Sequence, residues 1–298
     1  LPESNLGDLV RSAAQRWQDR PATILVLPNG SSCQHTWTEV DELSEAFAHY
    51  LHEGLKLTPG TRVAILLPNA LAYPIVAFGT LKAGCIVVNT NPLYTPRELE
   101  QQLRDSGAEV LVILDMFLDK LTGILDRTSV RTVIRTCIAD FFPFLQRALI
   151  KTKLTLAGKR PRVDVPTVPL VRALHQGRLH QAKARWFHEP ALPCPQRDDV
   201  ALLQYTGGTT GLSKGAMLTH GNLLANLAQI AEITRVHLRP GRETVLTVLP
   251  LYHVIAFTIN LLFGFHSGST NVLIPNPRPL RNLKAALRKH RITWMTAV

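Results

Sequence analysis

The fold of this chain is decided by the stretch Tyr205-Thr206-Gly207-Gly208-Thr209-Thr210-Gly211-Leu212-Ser213-Lys214-Gly215. It follows an apolar, strand-like segment (200–204) and precedes a segment that looks helical. Its glycines let the backbone turn tightly and approach a ligand closely, while its hydroxyls and its lysine add donors and positive charge. Such a loop after a strand is typical of a phosphate-binding site in an α/β protein. Binding of a nucleotide triphosphate is therefore the first hypothesis.

Two common phosphate-binding motifs do not fit this stretch. Lys214 follows Ser213 rather than glycine, and Gly215 stands where a Walker A loop places its magnesium-binding hydroxyl. Gly207 and Gly208 are adjacent, which breaks the Gly-x-Gly-x-x-Gly pattern of dinucleotide-binding folds. A flexible Gly/Thr turn without a ligand is the structural alternative, because turns use glycine freely.

A wider pattern of three ordered segments resembles the acyl-adenylate-forming enzymes, which include acyl-CoA synthetases, luciferases and peptide-synthetase adenylation domains. Within them the chain looks most like a bacterial long-chain fatty acid CoA ligase. The segments are Asn89-Thr90-Asn91-Pro92-Leu93-Tyr94-Thr95-Pro96-Arg97-Glu98-Leu99, the stretch from Tyr205 through Ala216 to Asn226, and Leu249-Pro250-Leu251-Tyr252-His253. Gly207 stands where many family members have Ser or Thr, and the fatty acid branch tolerates this glycine.

The resemblance implies a two-step reaction with ATP, Mg²⁺ and coenzyme A. A fatty acid carboxylate attacks the α-phosphate of ATP, pyrophosphate leaves, and the thiol of coenzyme A then displaces AMP from the acyl-AMP. Lys214 is assigned to charge compensation and His253 to substrate positioning, although a solvated lysine and a hydrogen-bonded structural histidine are the respective alternatives. His220 is interpreted as a helix-start residue. ATP binding is assigned to Tyr205, Thr206, Gly207, Gly208, Thr209, Thr210, Gly211, Leu212, Ser213, Lys214, Gly215 and Ala216, and no residue is assigned to a metal.

The resemblance also implies features that are not found in the sequence. They are an aromatic-Gly-x-Thr-Glu segment that binds adenine and magnesium, an Asp that holds the ribose, and a C-terminal domain with a catalytic lysine. We therefore expect a fragment of an enzyme nearly twice as long, with little turnover alone. Two alternatives stay open: a ligase for aryl or shorter-chain acids, and a non-catalytic domain that binds nucleotide or lipid.

Charge is concentrated in the segment 141–188, which holds ten basic residues against one acidic residue, in a chain of net charge +11. The simplest interpretation is a solvated basic linker. The apolar residues around Phe144 and Leu149 favour contact with an anionic membrane surface, and no motif indicates nucleic-acid binding. We expect a cytoplasmic protein, peripheral on the inner membrane, with fatty acid and coenzyme A as partners and a possible homodimer. Four scattered cysteines predict reduced thiols.

The elements alternate in βα fashion, which predicts two helix-flanked, mostly parallel β-sheet halves. We divide the chain into a first α/β subdomain (1–140), a basic proline-containing connector (141–199) and a second α/β subdomain with the phosphate loop (200–298), incomplete at its C-terminus. Thr38 is predicted to cap one helix and Thr95 to open another with a capping box. The connector is expected to be helical only around 145–154. The apolar segment 254–265 is predicted to form a buried helix beside a pocket.

Overall fold

A computed structural model describes residues 3–161, 165–187, 192–206 and 213–296. Within these ranges the chain forms two β-sheets whose neighbouring strands are mostly parallel, as the sequence predicts. The larger sheet has the strand order β7-β6-β5-β3-β4-β8-β9, and the smaller one β12-β10-β11-β1-β2. Antiparallel pairing occurs at one edge of each sheet, between β8 and β9 and between β1 and β2.

The strands are short and mostly apolar, as expected for sheets covered on both faces. In chain order they are β1 (Pro21–Val26), β2 (Ser32–Thr36), β3 (Arg62–Leu66), β4 (Ile86–Asn89), β5 (Val110–Leu114), β6 (Thr132–Thr136), β7 (Val168–Pro169), β8 (Val200–Thr206), β9 (Lys214–Thr219), β10 (Thr244–Thr247), β11 (Thr270–Leu273) and β12 (Trp294–Met295). Both sheets combine strands from before residue 140 with strands from after residue 199, so neither half of the chain forms a sheet alone.

The α-helices of the described ranges are α1 (Leu6–Trp17), α2 (Trp37–His49), α3 (Ala72–Lys82), α4 (Pro96–Ser106), α5 (Phe144–Leu156), α6 (Leu170–Phe187), α7 (His220–Thr234), α8 (Val254–Ala256), α9 (Gly264–Ser267) and α10 (Lys284–Lys289). A π-helical stretch (Phe257–Phe263) joins α8 to α9. The predicted apolar helix is therefore present, and its middle is wound more loosely than an α-helix. None of the described helices is both long and apolar enough to cross a membrane.

The main apolar core lies between the two sheets and includes side chains from α1, α2, α3 and the α8–α9 helix. A second core lies on the other face of the larger sheet, under α4, and a third lies on the other face of the smaller sheet, under α10. The molecule is therefore layered, with helices outside and between the sheets. This arrangement leaves the carboxyl ends of the parallel strands as the place where loops from both sheets meet.

Close helix packing explains two glycines. A Cβ atom at Gly79 of α3 would lie 2.7 Å from the carbonyl oxygen of Ser44 in α2. One at Gly177 of α6 would lie 1.8 Å from the carbonyl oxygen of Ala46, also in α2. Helix α2 is thus held between α3 and α6, and only glycine permits these approaches.

Several element predictions need correction. Thr36, not Thr38, caps α2, because its hydroxyl accepts a hydrogen bond from the Glu39 N–H and Glu39 completes the capping box. The connector is helical over α6 as well as α5, and α6 buries Leu170 and Ala173 against the core. Strand β9, not a helix, directly follows the phosphate loop. The capping box at Thr95 is confirmed.

Candidate nucleotide-binding site

The candidate site is built on the hairpin of β8 and β9, which flanks the phosphate loop. Thr206 pairs with Lys214, Tyr205 with Gly215, and Gln204 with Ala216. Directly opposed residues of an antiparallel pair share one face of the sheet, and successive residues alternate between faces. Tyr205 and Gly215 therefore lie on one face, which we call the supported face. Gln204, Thr206, Lys214 and Ala216 lie on the other, the open face.

The supported face is anchored to helix α4. The Tyr205 side chain is buried, and its hydroxyl donates a hydrogen bond of 2.5 Å to Asp105 of α4. Burial and the Asp105 carboxylate raise the pKa of Tyr205 far above its ordinary value, so the hydroxyl stays protonated. A Cβ atom at Gly215 would lie 2.9 Å from the Tyr205 ring, so the glycine lets the ring cover the opposing strand.

The open face carries the polar residues next to the loop. Thr206 and Lys214 are exposed, and the hairpin is closed between them by a 2.7 Å hydrogen bond from the Ser213 hydroxyl to the Thr206 carbonyl. Ser213 also borders a cavity of about 610 Å³ beside α4, which is lined by two basic residues (Arg97 and Arg104) and two acidic ones (Glu100 and Asp105). Hydroxyl groups thus stand at both stems of the loop, and Lys214 adds a positive charge at one of them, a combination suited to a polyphosphate.

Six of the predicted ATP-binding residues lie outside the described ranges: Gly207, Gly208, Thr209, Thr210, Gly211 and Leu212. The other six are described, and the structure places them on the hairpin as given above. Their assignment to ATP stays a prediction.

A buried polar network links the open face to the Leu249–His253 segment. The Gln204 amide donates to the Tyr252 carbonyl oxygen at 3.3 Å and accepts from the Asn89 amide at 3.3 Å. The Tyr73 hydroxyl lies 2.5 Å from Asn89 Oδ1 and 2.9 Å from the Leu251 carbonyl oxygen. Asn89 ends β4 and pairs with Gln204 of the neighbouring parallel strand β8, so the two side chains meet near the carboxyl edge of the larger sheet.

A second contact fixes the same segment from the other side. The Asn69 amide donates to the carbonyl oxygens of Thr247 and Leu249, both at 3.0 Å, and its Oδ1 accepts from the Leu251 N–H at 2.8 Å. Asn69 follows β3 of the larger sheet, whereas Thr247 ends β10 of the smaller one. The two sheets are therefore bonded to each other where the hairpin meets Tyr252.

His253 lies one residue beyond this junction and is exposed. Its Nδ1 accepts a hydrogen bond of 3.4 Å from the Ile255 N–H, which makes it the N-cap of α8. The structure thus gives His253 a local structural role and leaves its ring accessible near the open face. Substrate positioning by His253 stays a prediction.

His220 is a structural residue at the start of α7, as the sequence predicts. It is buried, and its Nδ1 accepts a hydrogen bond of 3.1 Å from the Leu6 N–H at the start of α1. Burial lowers the pKa of His220 to about 4, so the ring is neutral at pH 7. The bond ties the far end of β9 to the N-terminal helix.

Residues 89–99 also contribute to the candidate site, although no functional residue was predicted there. Asn89 belongs to the polar network, and Tyr94 lies near Ser213 and Tyr252. Burial raises the pKa of Tyr94, an effect that the Ser213 hydroxyl opposes, and burial together with the nearby Tyr94 raises the pKa of Tyr252. A polar residue that ends a buried parallel strand, as Asn89 does, was the available signal.

No group of three or more His, Cys, Asp or Glu side chains within the described ranges could hold a metal ion.

The matches to known proteins cover nearly the whole chain. The model of a family described as "AMP-binding enzyme" matches residues 10–298. This chain belongs to the AMP-binding enzyme family. The long-chain-fatty-acid–CoA ligase of Escherichia coli O157:H7 is 43% identical over 99% of the chain, and that of Bacillus subtilis (strain 168) is 34% identical over 98%. The chain spans about half the length of these curated relatives, 50% in both cases.

Solved structures of AMP-binding enzymes share the fold. A long-chain-fatty-acid-CoA ligase (FadD1) from Archaeoglobus fulgidus superposes with a TM-score of 0.76 at 23% identity, and the match covers 99% of this chain and 51% of that one. The N-terminal domain of FACL13 from Mycobacterium tuberculosis gives a TM-score of 0.74 at 23% identity over 99% of this chain and 63% of that one. The predicted fold class and family are thus confirmed.

Proposed function

We propose that the protein containing this chain activates a long-chain fatty acid with ATP and transfers the acyl group to coenzyme A. The observation that carries the proposal is the 43% identity to the Escherichia coli long-chain-fatty-acid–CoA ligase along 99% of the chain. The hairpin supports it, because Thr206 and Lys214 of its open face flank the sequence Gly207-Gly208-Thr209-Thr210-Gly211, whose residue types suit phosphate binding.

The chemistry that the site would serve has two steps. In the first, a carboxylate oxygen attacks the α-phosphorus, the bond to the bridging oxygen of the β-phosphate breaks, and pyrophosphate leaves with magnesium. In the second, the thiolate of coenzyme A attacks the acyl carbon, the bond to AMP breaks, and the thiol proton passes to solvent. Both steps need positioned reactants and neutralised phosphate charge more than a protein nucleophile.

Each residue of the site has a proposed role. Lys214 offsets phosphate charge, and Thr206 and Ser213 supply hydroxyl donors. Tyr205 supports the loop through its buried ring, and Gly215 does so by leaving room for that ring, so the contribution of both residues to ATP binding would come from their backbones. His253 positions the acyl group or the incoming thiol, and Gln204 sets its distance from the loop through Tyr252.

The experiment is a pyrophosphate-exchange assay on the intact protein, with saturated acids from C4 to C18 and with coumarate. We expect exchange to be fastest with the long-chain acids and to need magnesium. Fast exchange with coumarate alone would favour an aryl-acid ligase, an alternative supported by a 29% identical 4-coumarate-CoA ligase from Narcissus pseudonarcissus. Absence of exchange with every acid, with ATP binding retained, would favour a non-catalytic nucleotide-binding domain.

The location and partners are also proposed. A cytoplasmic protein that contacts an anionic membrane through the segment 141–188 would meet its substrate in the bilayer. Exposed basic residues on α5 and α6 support this contact. The homodimer stays a prediction.

A further inference from the structure

Helix α5 exposes more apolar surface than a solvated helix should. Phe144, Leu145, Leu149 and Leu156 are 71%, 74%, 63% and 84% exposed, and no residue of α5 is buried. At 100° per residue, the three leucines fall within about 40° of one another around the helix. They form one stripe along the helix, which we call the leucine stripe, and Phe144 stands at its N-terminal end.

The opposite side of α5 is fixed to the protein, which sets the direction of the stripe. Ile150 and Leu154 pack against the main core. Lys151 forms a 2.7 Å ion pair with Asp140, and Arg160, just beyond the helix, forms a 3.0 Å ion pair with Asp115. Both aspartates are almost fully buried, so these contacts hold the helix firmly. The leucine stripe must therefore point away from the core.

The charges around the stripe all have one sign. The helix contains no acidic residue. Lys151 and Arg160 are paired with the buried aspartates. Lys153 and Lys159 are exposed. The Arg147 guanidinium lies over the Phe144 ring, 5.8 Å from its centre. A second copy of α5 would bring like charges together. An anionic lipid surface would instead accept the leucines between its acyl chains and the cations among its headgroups.

We propose that the leucine stripe of α5 is the element that inserts into an anionic membrane, with Lys153 and Lys159 binding its headgroups. The inference rests on the proposed membrane contact and not on ligase activity. Helix α6 is equally free of acidic residues, but its exposed apolar side chains (Val171, Leu179, Trp186) are separated along the same face by Arg178 and His175. It therefore serves as the matched control.

The test is co-sedimentation of the intact protein with vesicles of phosphatidylcholine, with and without 30 to 40 mole per cent (about one third) phosphatidylglycerol. Leu149→Glu should weaken binding to the anionic vesicles by about tenfold or more, because a leucine that would insert into the bilayer is lost and a negative charge is added. Leu179→Glu, at a site of similar exposure on α6, should leave binding within about twofold of the parent protein. Lys153→Glu should weaken binding only where phosphatidylglycerol is present.

Each other outcome has a meaning. Equal binding by Leu149→Glu and the parent protein, or equal losses for Leu149→Glu and Leu179→Glu, would overturn the assignment to α5. No binding of the parent protein would overturn the membrane contact itself, whatever the exchange assay gives. A dimer in sedimentation that Leu149→Glu abolishes, without vesicle binding, would assign the stripe to a second copy. Thermal unfolding serves as the folding control, and Leu145→Ser replaces Leu149→Glu if that variant unfolds.

Discussion

The supported face and the open face of the β8–β9 hairpin contain neighbouring residues of one motif, yet the residues next to the loop differ in burial and in bonding. On the supported face Tyr205 is buried, its hydroxyl is hydrogen-bonded to Asp105, and its ring packs over Gly215. On the open face Thr206 and Lys214 are exposed, while the neighbouring Gln204 is buried and bonded to the Leu249–His253 segment. Strand alternation alone separates the two groups. The residues of the supported face can therefore hold the exposed residues of the open face in place.

The comparison predicts that changes at the Tyr205–Gly215 contact of the supported face reduce stability, whereas changes at the exposed positions of the open face reduce binding. Gly215→Val should have the largest effect, about 3 kcal/mol of unfolding free energy, because its Cβ would overlap the Tyr205 ring. Denaturant unfolding of the intact protein measures it. Met217→Val, on the same strand at a 70% exposed position, is the control and should change stability by less than about 0.5 kcal/mol. Equal losses of stability in Gly215→Val and Met217→Val would refute the close packing of the Tyr205 ring on Gly215.

The hairpin's support should also respond to pH through His220, whose folded-state pKa of about 4 lies below its ordinary 6.5. The unfolded state then binds a proton first as pH falls, so stability is full above about pH 6.5 and is lost toward pH 4. The loss is at most about 3 kcal/mol. In His220→Asn, which keeps an acceptor for Leu6, the fall in stability between pH 7 and pH 4 should be smaller by that amount. If the pH dependence of stability were the same in His220→Asn and in the parent protein, burial would not lower the pKa of His220 in the folded state.

Tyr205→Phe should have a smaller effect, about 1 kcal/mol, because it removes one hydrogen bond to an exposed carboxylate and keeps the ring. Asp105→Asn should cost about the same, and the double variant should cost no more than either single one. Chemical denaturation of the three variants measures this coupling. Fully additive losses would mean that the two side chains act separately.

The sequence predicted the parallel sheets and the family, because these depend on local patterns: apolar runs, a capping box and a glycine-rich segment. It did not predict that Asn69, Tyr73, Asn89 and Gln204 form one network, since their contacts join residues far apart in the chain. Within the basic connector it predicted a helix only around 145–154 and did not predict α6. Charge content cannot separate a helix that packs through Gly177 from one that exposes three leucines. Which of the two helices is buried depends on the protein surface that packs against it, and the helix sequence alone does not show that surface.

The smallest effect on stability and the most direct test of the account belong to Lys214→Ala. Lys214 is exposed on the open face, so its removal should leave the unfolding free energy unchanged. Titration of the intact protein with magnesium–ATP should nevertheless show affinity weakened by about tenfold, since one charge-assisted contact to phosphate is lost. Lys183→Ala on α6 is the matched control and should bind as the parent does. Unchanged ATP affinity in Lys214→Ala would contradict the claim that the open face of this hairpin holds the triphosphate.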